Sequence, residues 1–253
     1  MFSIIALFLY WLDDEKNVIE KEDITSHLLI INGSPRKSGA TAKILTYIHE
    51  KLCTMDSELE ITHIDLSNYN LKLCVGCMGC YKTGHCFIQD DGVERLRSLI
   101  DQCDGLILGS PTYTSNVSGY LKILMDRGYF IFEQLLRNKP CFSVITYENA
   151  GGKKAQKILN EFIHYSGGSV SRHYRKKLNH GSEVLNKATE KTIDRKCAQY
   201  LVRAKRTMSL SVLEIVMRAI VFHVGLRRHA MKNPVRYKAV IDRWNNKGYT
   251  QRR

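Results

Sequence analysis

Proline is scarce in this sequence. Four prolines and 17 glycines in 253 residues leave no room for a long flexible or polyproline linker. There is no Gly-Lys-Ser/Thr closing a glycine-rich loop and no G-x-G-x-x-G, which disfavours a nucleoside triphosphate loop and a Rossmann-type dinucleotide fingerprint. No apolar run reaches the roughly 20 residues that cross a bilayer. The longest, Met1–Leu12, lacks the basic start and small-residue cleavage site of a signal peptide. It reads as an extra strand, a docked helix or a dimer contact, with a peripheral membrane contact as the lesser reading. Nothing resembles a helix-turn-helix or an RNA-binding module, so no nucleic-acid partner is expected.

What is present has the balance of a globular chain: 44% hydrophobic and 25% charged residues. The length suits one α/β domain with an appendage, or two small domains. The formal charge of +13 is unevenly spread. Residues 1–169 carry 17 Lys+Arg against 20 Asp+Glu, and residues 170–253 carry 21 against 5. A basic last third is either a solvated helical face or a surface for an anionic partner. The eight cysteines are also unevenly placed, with Cys74, Cys77, Cys80 and Cys86 inside thirteen residues and the others scattered in apolar surroundings. A secreted disulfide framework spaces cysteines more evenly in a shorter chain. Clustering without a signal peptide points to a reducing cytoplasm and a metal or redox site.

From His27 the chain alternates. Apolar runs at 27–32, 104–110 and 141–147, an alternating stretch at 58–66 and the segment opening at Ser169 predict five strands. Apolar positions at helical spacing predict helices from Ala40, over 91–102, over 117–135 and over 152–165. Strands alternating with helices imply an α/β, doubly wound five-stranded parallel sheet. In the order 2-1-3-4-5 the first and third strands are neighbours, and ligands bind where their carboxyl ends diverge. The predicted organisation is an extension over 1–25, a main domain over 26–208 finished by a helix over 183–208, and a helical, basic C-terminal extension over 209–253, with Pro234 opening its last helix.

Two loops lie at that crevice. Gly33-Ser34-Pro35-Arg36-Lys37-Ser38-Gly39-Ala40-Thr41 runs from strand to helix with hydroxyls, cations and free N–H groups suited to a phosphate. The plainer reading is a strand-to-helix turn with Ser38 as the cap. The second loop is Ser110-Pro111-Thr112-Tyr113-Thr114-Ser115-Asn116. Between them lies Cys74-x2-Cys77-x2-Cys80-x5-Cys86, whose spacing lets thiolates converge on one cluster, with Gly76 and Gly79 permitting the tight wrap. The alternative is a loop of free thiols or a thiol–disulfide pair. His85 inside the run reads as an exposed loop histidine.

These motifs carry a resemblance. The first loop resembles the FMN-phosphate loop of the flavodoxin-like NAD(P)H-dependent FMN reductase superfamily, with Ala40 where many members have Asn. The second loop, with Ser118-Gly119-Tyr120-Leu121-Lys122 and Asp126-Arg127, is similar to that family's flavin loop and following helix. The compact cysteine run, followed by Asp90-Asp91, resembles iron–sulfur flavoproteins on the same fold. The resemblance covers residues 27–180 well, the tail loosely and residues 1–25 not at all.

The resemblance implies FMN bound by Ser34, Arg36, Ser38, Gly39, Ala40 and Thr41 at the phosphate and by Pro111, Thr112, Tyr113, Thr114 and Gly151 around the ring. It implies a [4Fe–4S] cluster on Cys74, Cys77, Cys80 and Cys86, ferredoxin or NAD(P)H as electron donor, a small-molecule or protein acceptor, and a homodimer or homotetramer. No side chain is assigned as an acid–base catalyst. The alternatives are a cluster-free NAD(P)H-dependent FMN or quinone reductase, and a protein that binds polyanions or membranes through its tail.

Overall fold

The computed structural model describes residues 27–127, 129–179, 183–205 and 212–250. The expectations for residues 1–25 lie outside the described residues.

Five strands form one parallel sheet in the order β2-β1-β3-β4-β5. They are β1 (His27–Asn32), β2 (Glu60–Asp65), β3 (Gly105–Pro111), β4 (Pro140–Tyr147) and β5 (Ser169–Lys177). Their alternate residues explain the layers. Leu29 and Ile31 of β1 face α3 (Val93–Gln102), α4 (Gly119–Arg127) and α6 (Gly152–Tyr165), packing with Leu96, Leu121 and Leu159. Leu28 and Ile30 face the other way, onto α1 (Ala40–Met55) and α7 (Lys187–Lys205), packing with Ile44, Ile48, Ile193 and Tyr200. Such strands are apolar on both faces because both are covered. Right-handed crossovers going left from β1 and right from β3 place helices on opposite faces and leave the ends of β1 and β3 diverging.

A separate apolar cluster organises the carboxyl end. Helix α8 (Val212–Ala219) runs into a π-helical segment (Ile220–Arg227), then α9 (Arg228–Met231) and, after a turn, α10 (Lys238–Asn246). Phe222, Ala230, Tyr237, Val240 and Trp244 are buried together, with Tyr81 and Phe132 of the main domain packed against them. The Trp244 indole donates to the Phe132 carbonyl at 2.7 Å, and Arg243 reaches both Asp101 oxygens at 2.6 and 3.0 Å. The tail therefore seats its aromatic face on the domain.

Several expectations change in detail. The single helix over 117–135 is two: α4 ends at Arg127, and α5 (Phe130–Glu133) is closed by Gln134 in the left-handed region at φ 55°. Gly128, a poor helix former, stands between them in the sequence. Pro234 does not open the last helix. The Asn233 side chain accepts the Arg236 N–H at 3.2 Å and its carbonyl accepts the Tyr237 N–H at 3.2 Å, making a turn before Lys238. The helix expected over 183–208 is described over Lys187–Lys205. Cys53, expected in apolar surroundings, is exposed.

Candidate functional site

The crevice at the carboxyl ends of β1, β3, β4 and β5 has a volume of about 530 Å³. The chain leaves β1 through Gly33, whose N–H donates to the Gly109 carbonyl at 2.8 Å. A Cβ on Gly33 would stand 3.0 Å from that carbonyl oxygen and 3.0 Å from Leu121, so the crossing of the two strand ends favours glycine. The Ser34 N–H donates to Asn32 Oδ1 at 3.0 Å, and Asn32 is held by Asp65 at 2.7 Å. Ser34 Oγ accepts the Arg36 N–H at 3.1 Å, folding the loop on itself. The residue before α1 is Gly39 rather than Ser38, and no side chain caps the helix. Its first-turn N–H groups are left for an anion. Ser34, Arg36, Gly39, Ala40 and Thr41 border the crevice; Ser38 does not.

The opposite wall is Pro111, Thr112, Tyr113, Thr114 and Ser115. Thr114 (φ 50°) and Ser115 (φ 61°) are consecutive left-handed residues, clasped by mutual backbone bonds between Tyr113 and Asn116 at 3.0 Å. A β-branched threonine there is strained, and such strain concentrates at ligand sites. Gly151 (φ 84°) does not border the crevice but shapes it: a Cβ there would lie 2.5 Å from Ser115 Oγ. Thr112 Oγ1 is buried without a hydrogen-bond partner among the described residues. Thr41 Oγ1 meets Thr146 Oγ1 at 2.7 Å and ties the start of α1 to the end of β4. A cavity of this size, with a cation, open helix N–H groups and an unpaired hydroxyl, fits a flavin mononucleotide.

The cysteine loop makes a second cavity, of about 210 Å³, bordered by Cys74, Cys77, Cys80 and Cys86 together. Gly76 (φ 67°) and Met78 (φ 57°) turn the chain through left-handed conformations into α2 (Gly79–Thr83). Cys74 and Cys77 are exposed, Cys80 is half-buried and Cys86 is buried. Burial and the neighbouring Cys86 and Cys77 push the Cys80 thiol up to about 12. Among the described residues no three His, Cys, Asp or Glu side chains gather closely enough to hold a metal ion. The four sulfurs share a cavity wall without forming a ligand group. In donor chemistry the cavity nonetheless fits an iron–sulfur cluster, which takes four cysteine thiolates.

Two supports hold this loop. On one side Tyr81 of α2 stacks on Tyr237 at 5.2 Å and meets Phe132 at 4.8 Å. On the other, the Cys86 N–H donates to Glu94 at 2.7 Å, and the wholly buried Arg127 pairs with Asp91. Burial works to raise the Asp91 pKa, but the Arg127 hydrogen bond and two backbone N–H donors outweigh it and leave the carboxyl below its ordinary value. His85, as expected, is exposed.

Residues 26–179 match the NADPH-dependent FMN reductase family. The chain belongs to that family. It is accordingly an FMN-binding, flavin-dependent oxidoreductase. An iron–sulfur flavoprotein of Clostridioides difficile (strain 630) is 37% identical over 221 residues, covering 87% of this chain and 98% of the relative. The solved apo form of an NADH:FMN oxidoreductase superposes with a TM-score of 0.53 at 18% identity, covering 73% of this chain and 95% of that one. Flavodoxin 1 of Bacillus cereus does so with 0.50 at 18% identity, covering 74% and 100%. At these identities the two structures show the fold, which is flavodoxin-like.

Sequence reasoning missed part of the crevice lining. Thr146, Tyr147, Glu148, Asn149 and Leu178 also border the crevice, because β4 and β5 end there. The rule that ligands lie at strand carboxyl ends was the available signal. Arg127 and Asp91 were visible only as family matches; nothing in their spacing announces a buried pair. Among the described residues no helix is long and apolar enough to cross a membrane.

Proposed function

We propose that the protein is an FMN-dependent electron-transfer oxidoreductase with a [4Fe–4S] cluster on Cys74, Cys77, Cys80 and Cys86. The observation that carries this reading is the placement of the two cavities. Helix α4 follows directly on the flavin-side loop, where Ser118 donates to the Gly33 carbonyl, and ends at Arg127 on the cysteine cavity. Its nine residues span about 13 Å. A flavin site and a four-thiol site are thus joined by one rigid element.

FMN supplies two-electron chemistry and a cluster supplies single-electron transfer. The chain's own groups bind and orient. Arg36 and the open N–H groups of α1 meet the phosphate. Thr112 offers a hydroxyl to the ring, the Thr114–Ser115 turn holds that wall, and the partly exposed Tyr113 shields one edge. No side chain is asked to move a proton. Either NAD(P)H or ferredoxin serves as donor to a small-molecule or protein acceptor, in a cytoplasmic homo-oligomer.

The second reading is a cluster-free NAD(P)H-dependent FMN or quinone reductase, favoured by the absence of a gathered ligand group among the described residues. Cys77→Ala separates the two. After anaerobic reconstitution the variant loses iron and keeps flavin on the first reading. On the second, wild type and variant are equally free of iron.

A further inference from the structure

Arg127 stands at the end of α4 with its side chain fully buried, and its hydrogen bonds are unusually divided. Nη1 donates to Asp91 Oδ2 and to the Lys72 carbonyl, the latter at 2.7 Å. Nη2 donates to Asp91 Oδ1 at 3.2 Å, to the Ile88 carbonyl at 3.1 Å and to the sulfur of Cys86 at 3.3 Å. A buried ion pair needs only the carboxylate to neutralise it. This guanidinium also gathers the carbonyls on both flanks of the cysteine loop, 72 and 88, and reaches one thiol. Cys86 differs from the other three cysteines in being buried, and its own N–H is fixed by Glu94. Among the four cavity cysteines it is the one that a cationic N–H donor contacts.

We propose that Arg127 is a positioning residue of the cysteine site: it presents the Cys86 sulfur with a charged N–H bond already made, and Asp91 holds the guanidinium in place. The proposal rests on the cluster reading above. It assigns asymmetry to the site. Cys74 and Cys77 lie on an exposed, glycine-turned segment, Cys80 is half-buried at the start of α2, and Cys86 is the fixed point against which they close on a cluster. Hydrogen bonds to ligand sulfurs draw electron density away from the iron and raise the reduction potential. Arg127 therefore sets the potential as well as the geometry. Lysine at this position can keep the Asp91 pair but lacks the forked donors needed to reach Cys86 as well.

The test uses anaerobically reconstituted full-length protein. Arg127→Lys is expected to keep FMN and most of its iron while the cluster midpoint potential moves to lower values. Arg172→Lys, which alters the 2.8 Å hydrogen bond from Arg172 of β5 to Gln199 of α7, neither of which borders the cysteine cavity, is the control and leaves the potential in place. A second measurement needs no substitution. Wild-type protein labelled with [15N]guanidino-arginine is expected to show a 15N coupling in the pulsed EPR spectrum of its reduced cluster. Full iron with an unshifted potential, or a labelled cluster without 15N coupling, overturns the assignment of Arg127. Parallel loss of flavin and iron in Arg127→Lys with no 15N coupling reduces it to a structural ion pair. Wild type that takes up flavin but no iron overturns the cluster reading itself, a result distinguishable from the others.

Discussion

Thr112 and Gly151 show what single residues contribute to the crevice. The buried Thr112 hydroxyl has no partner among the described residues, and a buried hydroxyl left unpaired is costly. A flavin that accepts or donates there removes the penalty. Thr112→Val is expected to weaken FMN binding roughly fivefold, the worth of one neutral hydrogen bond of about 1 kcal/mol, read by quenching of flavin fluorescence. Unchanged affinity would mean that Thr112 does not touch the ring. Gly151 acts through shape. At φ 84°, with Ser115 2.5 Å from any added Cβ, Gly151→Ala must move the strained Thr114–Ser115 turn. The expected result is a lower melting temperature together with weaker flavin binding. The glycine-and-hydroxyl character of these loops was legible in the sequence. The left-handed pair at 114 and 115 was not, because threonine and serine do not advertise positive φ as glycine does.

At the scale of elements, the carboxyl-terminal helices support the cysteine loop. Trp244 is fully buried, and Tyr237 stacks on Tyr81, next to Cys80. Trp244→Ala is expected to cost about 3–5 kcal/mol of stability and to speed iron loss from reconstituted protein while flavin stays bound. Iron loss unchanged in the folded variant would detach the tail from the cysteine site. The same element carries a pH dependence. Burial, with Arg137 and Arg227 nearby, pushes the His223 imidazole down to about 4. Its unfolded value is near 6.5. The folded state therefore binds fewer protons, so the contribution of neutral His223 is complete above about pH 6.5 and is lost as pH falls towards 4. His223→Leu should flatten the stability profile in that window, measured by thermal melts from pH 7 to 4; an unchanged slope would assign the effect to other groups. The sequence showed the apolar stretch over 209–231 but not its partner. Contact between residues 81 and 237 is long-range and leaves no periodicity in either segment.

For the whole molecule, the alternation of apolar runs pointed to a parallel sheet covered on both faces, and the order 2-1-3-4-5 is the flavodoxin-like one among those such sheets take. Helix ends were less legible: the break after Arg127 and the turn at Asn233–Tyr237 depend on local capping and tertiary seating rather than on pattern. The charge asymmetry has a structural setting. The basic last third begins at the edge strand β5 and continues through α7 and the tail, whose aromatic residues face inward while many of its cations remain at the surface. In the proposed protein one chain brings a flavin crevice and a four-cysteine cavity to the two ends of α4. The decisive measurement is the stoichiometry of the wild-type protein after anaerobic reconstitution, with flavin released and counted beside iron and acid-labile sulfide. The expected result is about one FMN and about four irons per chain. Stoichiometric FMN with no iron would contradict the two-centre account and leave a flavin reductase, and folded protein with neither would contradict both sites.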